Sequence, residues 1–385
     1  MRLSGTILAA ALLLMPIGAR AQVAPKTLDA QVRAGMAKTG AKGIAVAVID
    51  HGKIVSVKTW GVRNATGDPL TPTTVMYGAS LTKAVFAFTV LQLAAEKRID
   101  LDASIATYLK KPLPDYTDAA DRYADWSALR DDERWRKLTP RILLQHASGF
   151  ANFGFLEPEK RLRIHFEPGS RYAYSGDGMI LLQFVLEQGL GLDLGDEMDA
   201  RVFIPSGMTR TSMTWRPDFA PNLADGWDAD GKPEPHDERS KVRAAGSMDT
   251  TLADFARFVA GFMRSDRLNR ARRAEMVRPQ LPITTASQFP TLQPELPEAA
   301  RVNGLSAGLG VVTFTGPQGP GFYKGGHNDS TGNTWVCVER RARCVVILAN
   351  DVRAEAMFPQ LVRSILGETG APWAWEYGPK AWTRF

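Results

Sequence analysis

What is scarce in this chain narrows its function. In 385 residues there are two cysteines and five histidines. His51, His146, His165, His236 and His327 have none of the close spacings that metal sites need, and Cys337 and Cys344 do not fall in with them, so neither a metal nor another cofactor is expected. No stretch approaches the roughly 18 uninterrupted apolar residues of a membrane span. An excess of one charge is missing too. The 47 Lys and Arg are nearly balanced by 41 Asp and Glu, and they are scattered rather than collected into runs, which argues against nucleic acid as a partner.

What is there begins with Arg2, an apolar run from Ile7 to Ile17 and the small-residue site Ala19-Arg20-Ala21. That pattern reads as a secretory signal peptide over residues 1–21, with the apolar run too short to span a membrane. An uncleaved amphipathic anchor is the alternative. Removing Arg2 and Arg20 takes the formal net charge from +6 to +4. A soluble periplasmic or secreted protein starting near Gln22 is expected, long enough for a sizeable core in two lobes.

Helical periodicity runs from Leu28 to Gly40, where Lys38-Thr39-Gly40 looks like a helix stop. Two strand-like runs, Gly43 to Ile49 and Ile54 to Trp60, are joined by Asp50-His51-Gly52-Lys53, a hairpin signal. Helices and loops follow to about residue 270, and residues 280–303 carry several prolines and little pattern, as a crossing between lobes would. Strands return at Gly310 to Phe314, Gly321 to Lys324, Asn333 to Glu339 and Arg343 to Ala349, before a last helix from Glu355 to Leu366. The expected architecture is α/β (α+β): a sheet-containing lobe of residues 22–75 and 300–385, built by both chain ends, with a helical lobe of residues 76–299 inserted. The stretch Asp115 to Arg136, rich in Asp, Arg and Trp, lacks periodicity and reads as an exposed insertion. If the last hairpin turns at Arg340-Arg341, Cys337 sits opposite Cys344. Opposed Cα atoms lie about 4.5–5.5 Å apart, within reach of a disulfide in an oxidising compartment; two buried thiols are the alternative.

The stretch the rest is organised around is Met76 to Arg98. Gly78 and Ser80 give a turn and a helix start, and from Ala84 to Ala95 nearly every residue is apolar, so the helix is expected to be buried all round. Ser80 and Lys83 stand one turn apart on one face. Burial and the positive end of the helix dipole both disfavour an ammonium there, so Lys83 is expected to be neutral enough to accept the Ser80 proton. Free N–H groups at the helix start can stabilise an oxyanion. A capping serine beside a snorkelling lysine is the alternative.

These residues, with Gly43-Ile-Ala-Val-Ala-Val-Ile-Asp-His-Gly-Lys53, Leu143-Leu-Gln-His-Ala-Ser-Gly149, Tyr174-Ser-Gly176, Pro205-Ser-Gly-Met208 and Lys324-Gly-Gly326, resemble the serine β-lactamase and penicillin-binding protein superfamily. The best-fitting branch holds class C β-lactamases, D-amino-acid carboxypeptidases and family VIII esterases. The resemblance covers about Gly43 to Asn350 and implies an antiparallel sheet flanked by helices with the inserted helical lobe. It also implies Ser80 as nucleophile, Lys83 and Tyr174 sharing general-base and acid work, and Lys324 supporting the charge around Tyr174 or the substrate. The implied oxyanion hole is the backbone N–H groups of Ser80 and His327, and the implied substrate contacts include Lys324, Gly325, Gly326 and Gly176. The expected activity is that of a serine hydrolase on a small ester, amide or peptide. A β-lactamase, a D-Ala-D-Ala carboxypeptidase or D-aminopeptidase, and a non-catalytic sensor domain are the alternatives.

Two literal motifs compete. Lys38-Thr39-Gly40 spells the family's third motif, but precedes the nucleophile and ends a helix. Gly304-Leu305-Ser306-Ala307-Gly308 spells a nucleophile elbow, yet between Ser306 and His327 there is no Asp or Glu, so the required order of Ser, acid and His fails. The sequence also departs from the family at Gly176, where Asn is usual, and at Gly325, where Thr or Ser is common. Both departures remove a grip on carboxylate- or amide-bearing substrates, and with glycine leaving room for a leaving group they point to short esters.

Overall fold

The computed structural model describes residues 25–117 and 123–378; the leader expected over 1–21 lies outside them. Helix α1 (Pro25–Thr39) stops at Gly40, which takes a φ of 76° that a side chain would disfavour. Strands β1 (Gly43–Asp50) and β2 (Lys53–Gly61) follow as a hairpin. Its two-residue loop, His51 (φ 50°) and Gly52 (φ 68°), is left-handed at both positions, the turn whose twist matches paired strands.

Alternation along β1 decides the layering. Ala45, Ala47 and Ile49 join one apolar cluster while Ile44, Val46 and Val48 join another, so both faces of the strand are covered. The first cluster holds the helical part of the chain: α2 (Leu81–Ala95), α3 (Pro140–Leu144), α4 (Gly176–Phe184) and α5 (Leu252–Arg264). The sheet then continues through β3 (Leu281–Pro282), β4 (Ser306–Ala307), β5 (Val312–Gly316), β6 (Gly319–His327), β7 (Gly332–Val338) and β8 (Arg343–Ala349). The second cluster seats α1 and α6 (Phe358–Leu366) on the opposite face, and the described chain ends beyond α7 (Trp373–Tyr377). The eight strands lie in the order β2-β1-β8-β7-β6-β5-β4-β3, each antiparallel to its neighbours. This is a β-lactamase-like arrangement, with an antiparallel sheet between helices.

Thirteen of the 15 residues of α2 are buried, so it has no solvent face. In the β7–β8 hairpin Cys337 pairs with Cys344, their Cα atoms 4.1 Å apart and their sulfurs bonded. Beside them Trp335 is ringed by Phe255, Phe258, Phe262 and Phe322 in edge contacts at 5.4–5.9 Å.

Three expectations need correction. In its described parts, 115–117 and 123–136, the Asp115 to Arg136 stretch is not simply exposed, because its short 3₁₀ turns drive Trp126 (0% exposed) and Trp135 (1%) into the core; such turns leave no 3.6-residue periodicity to read. The chain rejoins the sheet at Leu281 rather than at residue 300, and between 76 and 299 there are also two-residue ribbons, Met76–Tyr77 with Asp249–Thr250 and Gly226–Trp227 with Pro233–Glu234. Pairings this short have no alternation to detect. Finally, Leu366 is not the last helical position, since α7 follows and reaches the cleft described next.

Candidate active site

Ser80 caps α2 in position but not in chemistry. Its side chain makes no cap hydrogen bond, and the residue before it, Ala79, is held left-handed at φ 46°. Such backbone strain costs about 1–3 kcal/mol and persists only where the surroundings impose it. They do: Gly78 N donates to Met248 O at 2.9 Å, Thr82 Oγ1 to Ala79 O at 2.6 Å, and Asn333 Nδ2 to Tyr77 O at 3.0 Å. Ser80 Oγ is thereby left to two other groups, Lys83 Nζ at 2.9 Å and the Tyr174 hydroxyl at 2.8 Å.

Lys83 is 1% exposed, and its ammonium has no carboxylate partner among the described residues; Nζ also donates to Ala245 O at 2.5 Å. Burial, helped by the nearby Lys324, pushes Lys83 well below the ordinary lysine value. Tyr174 arrives on the loop before α4, whose N-cap Ser175 accepts from Gly178 N at 3.0 Å. His146 stacks on the Tyr174 ring at 4.4 Å, and Phe289 packs edge-on at 5.3 Å. Burial raises the Tyr174 phenol above its usual value, opposed by its bond to Ser80. The two shifts run in opposite directions: Lys83 gives up its proton more readily than a free lysine, and Tyr174 holds its proton more tightly than a free tyrosine.

Strand β6 closes the site. Lys324 Nζ lies 5.0 Å from the Tyr174 ring centre and donates to Gly325 O at 2.9 Å; burial lowers it to about 8, with Glu376 opposing. Gly326 runs so close to α2 that an added Cβ would stand 3.0 Å from Ser80 N and 2.9 Å from Gly78 O. At the end of the strand Asn328 N donates to Thr331 O. By the alternation of an antiparallel ladder, His327–Gly332 is then an unbonded pair, and the His327 N–H points away from β7. The His327 imidazole sits 3.3 Å from Glu355; burial alone would lower it, but the Glu355 hydrogen bond and charge prevail and raise it.

The cleft around these groups has a volume of about 400 Å³. Ser80, Lys83, Tyr174, Lys324, Gly325, Gly326 and His327 all line it, whereas Gly176 does not. Gly176 opens α4, and a Cβ there would run into the Phe153 ring. At Gly325 a Cβ would run into Glu376 Oε1. Neither glycine leaves room, which corrects the expectation that they open space for a leaving group. Ser306 lies on the short strand β4, outside the cleft, and its carbonyl accepts from Thr313 Oγ1. Among the described residues no group of three or more His, Cys, Asp or Glu is placed to hold a metal ion.

Sequence reasoning missed Glu376, Asn152, Arg243 and Phe289, all of which line the cleft. Asn152 Oδ1 accepts from Gly176 N at 3.0 Å, which ties this asparagine to the start of α4. These four come from loops and a five-residue helix remote in sequence. The aromatic run Trp373-Ala-Trp375 was the one available signal that the tail docks.

The family model described as Beta-lactamase matches residues 28–366. A D-aminopeptidase of Brucella anthropi is 30% identical over 179 residues, 44% of this chain and 32% of that protein. A second D-aminopeptidase, of Gluconobacter oxydans (strain 621H), is 28% identical over 192 residues, 48% and 34% respectively. The match thus spans about a third of the length of these relatives. Among solved structures, the octameric penicillin-binding protein homologue from Pyrococcus abyssi aligns with a TM-score of 0.70 at 19% identity, over 90% of this chain and 78% of that one. The D-alanine carboxypeptidase AmpC from Burkholderia cenocepacia aligns at 0.67 and 18%, over 89% and 98%. At such identities the likeness is one of fold.

Proposed function

This chain belongs to the beta-lactamase family, and from that premise we propose that it cleaves a small ester or amide through an acyl-enzyme on Ser80. It is a serine hydrolase of the β-lactamase-related type. The observation that carries the residue assignment is the placement of Ser80 Oγ between Lys83 Nζ and the Tyr174 hydroxyl at the mouth of the cleft. Lys83 takes the Ser80 proton as Oγ bonds to the acyl carbon, and the carbonyl electron pair moves onto its oxygen, held by the N–H groups of Ser80 and His327. Collapse expels the alcohol or amine, which receives a proton through Tyr174, itself resupplied by Lys83. Water then repeats the sequence and releases the acid.

An ester or amide whose leaving group has no carboxylate fits best. Gly325 supplies no hydroxyl for a carboxylate, and Glu376 stands beside it. The D-aminopeptidase relatives favour an amide reading within the same class. A lysine buried beside a serine without a carboxylate partner among the described residues is an expensive feature for a sensor to keep, which argues against a non-catalytic domain. The leader-like start and the Cys337–Cys344 bond support an exported protein.

The test is labelling with a fluorophosphonate or a fluorescent penicillin, followed by intact-mass analysis. Adduct and turnover should vanish in Ser80→Ala, stay within a few-fold in Ser306→Ala and nearly vanish in Lys83→Arg, whose guanidinium stays charged. An adduct on another serine, or an active Lys83→Arg variant, removes the mechanism. Nitrocefin, a D-Ala-D-Ala peptide and a p-nitrophenyl ester compared side by side decide substrate class, and preference for either of the first two would overturn the ester reading.

A further inference from the structure

We propose that Phe153 and Phe155 form an aromatic subsite at the edge of this cleft, and that it selects a substrate with an aryl group over one with a polar amide in the same place. This deepens the reading of Ser80 as nucleophile and rests on it. Gly176 brings no polar side chain to the wall that follows Tyr174. The space beside it is not empty, because a Cβ there would run into Cε1 and Cζ of the Phe153 ring. Phe153 lines the cleft. The wall at this point is therefore apolar, and a polar substituent placed against it would be desolvated without a partner.

The ring is held in place by its neighbours. Asn152 O accepts from Gly176 N at 2.8 Å and from Asp177 N at 3.0 Å, and Gly154 N donates to Asp177 Oδ2 at 2.6 Å. The residues on either side of Phe153 are thus tied to the first turn of α4. Tyr174 stands two residues before that turn, its hydroxyl 2.8 Å from Ser80 Oγ.

From Phe153 the apolar surface continues outward. Phe155 stacks on it with ring centres 5.1 Å apart and planes 10° from parallel, yet Phe155 is 64% exposed and Leu156 after it 61%. Among the described residues the one other exposed phenylalanine is Phe289, which lines the same cleft with its ring 5.3 Å from that of Tyr174. Single exposed apolar residues are ordinary, but rings that gather at one cleft call for an apolar guest. A substrate ring suits them best, since offset and edge-on pairs at about 4.5–7 Å between centres add to the gain from burial alone. Because Phe153 lies in both the cleft and the stack, a group attached to the scissile bond can reach the rings without a second macromolecule.

The test follows acid release from two ester series that share ethyl acetate as reference, with rates corrected for spontaneous hydrolysis. Ethyl phenylacetate and ethyl N-acetylglycinate vary the acyl side, and benzyl acetate and acetamidoethyl acetate vary the alcohol. In one of the two series the aryl member should exceed ethyl acetate in kcat/KM by about 10- to 100-fold, the usual worth of burying a phenyl side chain, and should exceed the amide-bearing member. Phe155→Ala removes an exposed ring and leaves the core alone; it should cut the aryl advantage by about 2- to 10-fold, the worth of an aromatic pair. Ile204→Ala, at an exposed position outside the cleft, should leave that advantage as it is. Phe153→Ala combined with Gly176→Asn, its fold checked by circular dichroism and a urea titration, should reverse the order of the aryl and amide-bearing members. A native protein with no aryl preference in either series overturns the inference, as does an aryl advantage unmoved by Phe155→Ala. So does light scattering that shows a dimer which Phe155→Ala dissolves, since a second copy would then be what covers the ring. Fluorophosphonate labelling separates the two failures: if Ser80 is not labelled in the native protein, the nucleophile reading has failed, whereas labelling without an aryl preference sinks only the aromatic subsite.

Discussion

Lys324 offers a stability measurement with a sign that can be worked out beforehand. Unfolded, a lysine holds its proton up to about 10.4; in the folded protein burial lets this one go at about 8. Below pH 8 both states carry the proton, and the folded state holds a desolvated cation. At about 1.4 kcal/mol per pH unit the penalty is about 3 kcal/mol. Between 8 and 10.5 the unfolded chain binds the extra proton, so stability should rise with pH, and above that range the penalty is gone. Lys324→Met keeps the length and the apolar stem. At pH 7 it should therefore gain about 3 kcal/mol from the lost charge and forfeit about 1 kcal/mol from the Nζ bond to Gly325 O, a net stabilisation of about 2 kcal/mol. Urea unfolding of both proteins at several pH values between 7 and 10.5 measures this directly. The variant's advantage should shrink to nothing and then reverse as pH rises, while its activity is lower throughout. Lys83 is present in both proteins, and because Lys324 helps to hold it low, its own burial penalty is smaller in the variant, a change of the same sign. A variant less stable than the native protein at pH 7, or an advantage that does not change with pH, would refute the account of Lys324 as a buried cation whose desolvation outweighs the pull of Glu376.

Two further outcomes are expected. Gly325→Thr should lose about 1–3 kcal/mol of stability in urea unfolding, because its Cβ meets Glu376, and should not acquire β-lactam turnover; a stable variant with at least ten-fold higher kcat/KM for nitrocefin would contradict this. Protein purified from an oxidising compartment and unfolded without reductant should titrate no free thiol, and reduction should lower its stability by roughly 2 to 3 kcal/mol at most, since the closed loop is short; two titratable thiols would refute the bond.

The parts of this molecule that a reader of the sequence can find are those whose signal is local. The unbroken apolar run after Ser80 announces a buried helix, and a Ser and Lys one turn apart share its face whatever surrounds them. The Cys337–Cys344 pairing follows from where one hairpin turns. Glu376, Asn152 and Phe289 carry no such signal, because only tertiary packing brings them to the cleft. The two glycines show the limit best. A sequence records that Gly176 and Gly325 lack a side chain, but not that Phe153 and Glu376 have filled the space. Trp126 and Trp135 are hidden for a related reason, since an acidic, basic and aromatic stretch with no period looks like surface until its turns are seen to press the indoles inward.

The strand order of the sheet has a consequence for how the chain is made. β1 is complete early in synthesis, yet one of its two partners is β8, and about 300 residues separate Ile49 from Cys344 opposite it. At 5–20 residues per second the ribosome needs about 15–60 s to deliver that partner. Throughout this interval the β1–β2 hairpin displays a bare edge rich in Val and Ile, with no Pro or charge between Gly43 and Ile49 to blunt it. Nascent chains should therefore depend on a holding chaperone, and the yield on recombinant expression should respond more to the rate of translation than to the stability of the finished fold.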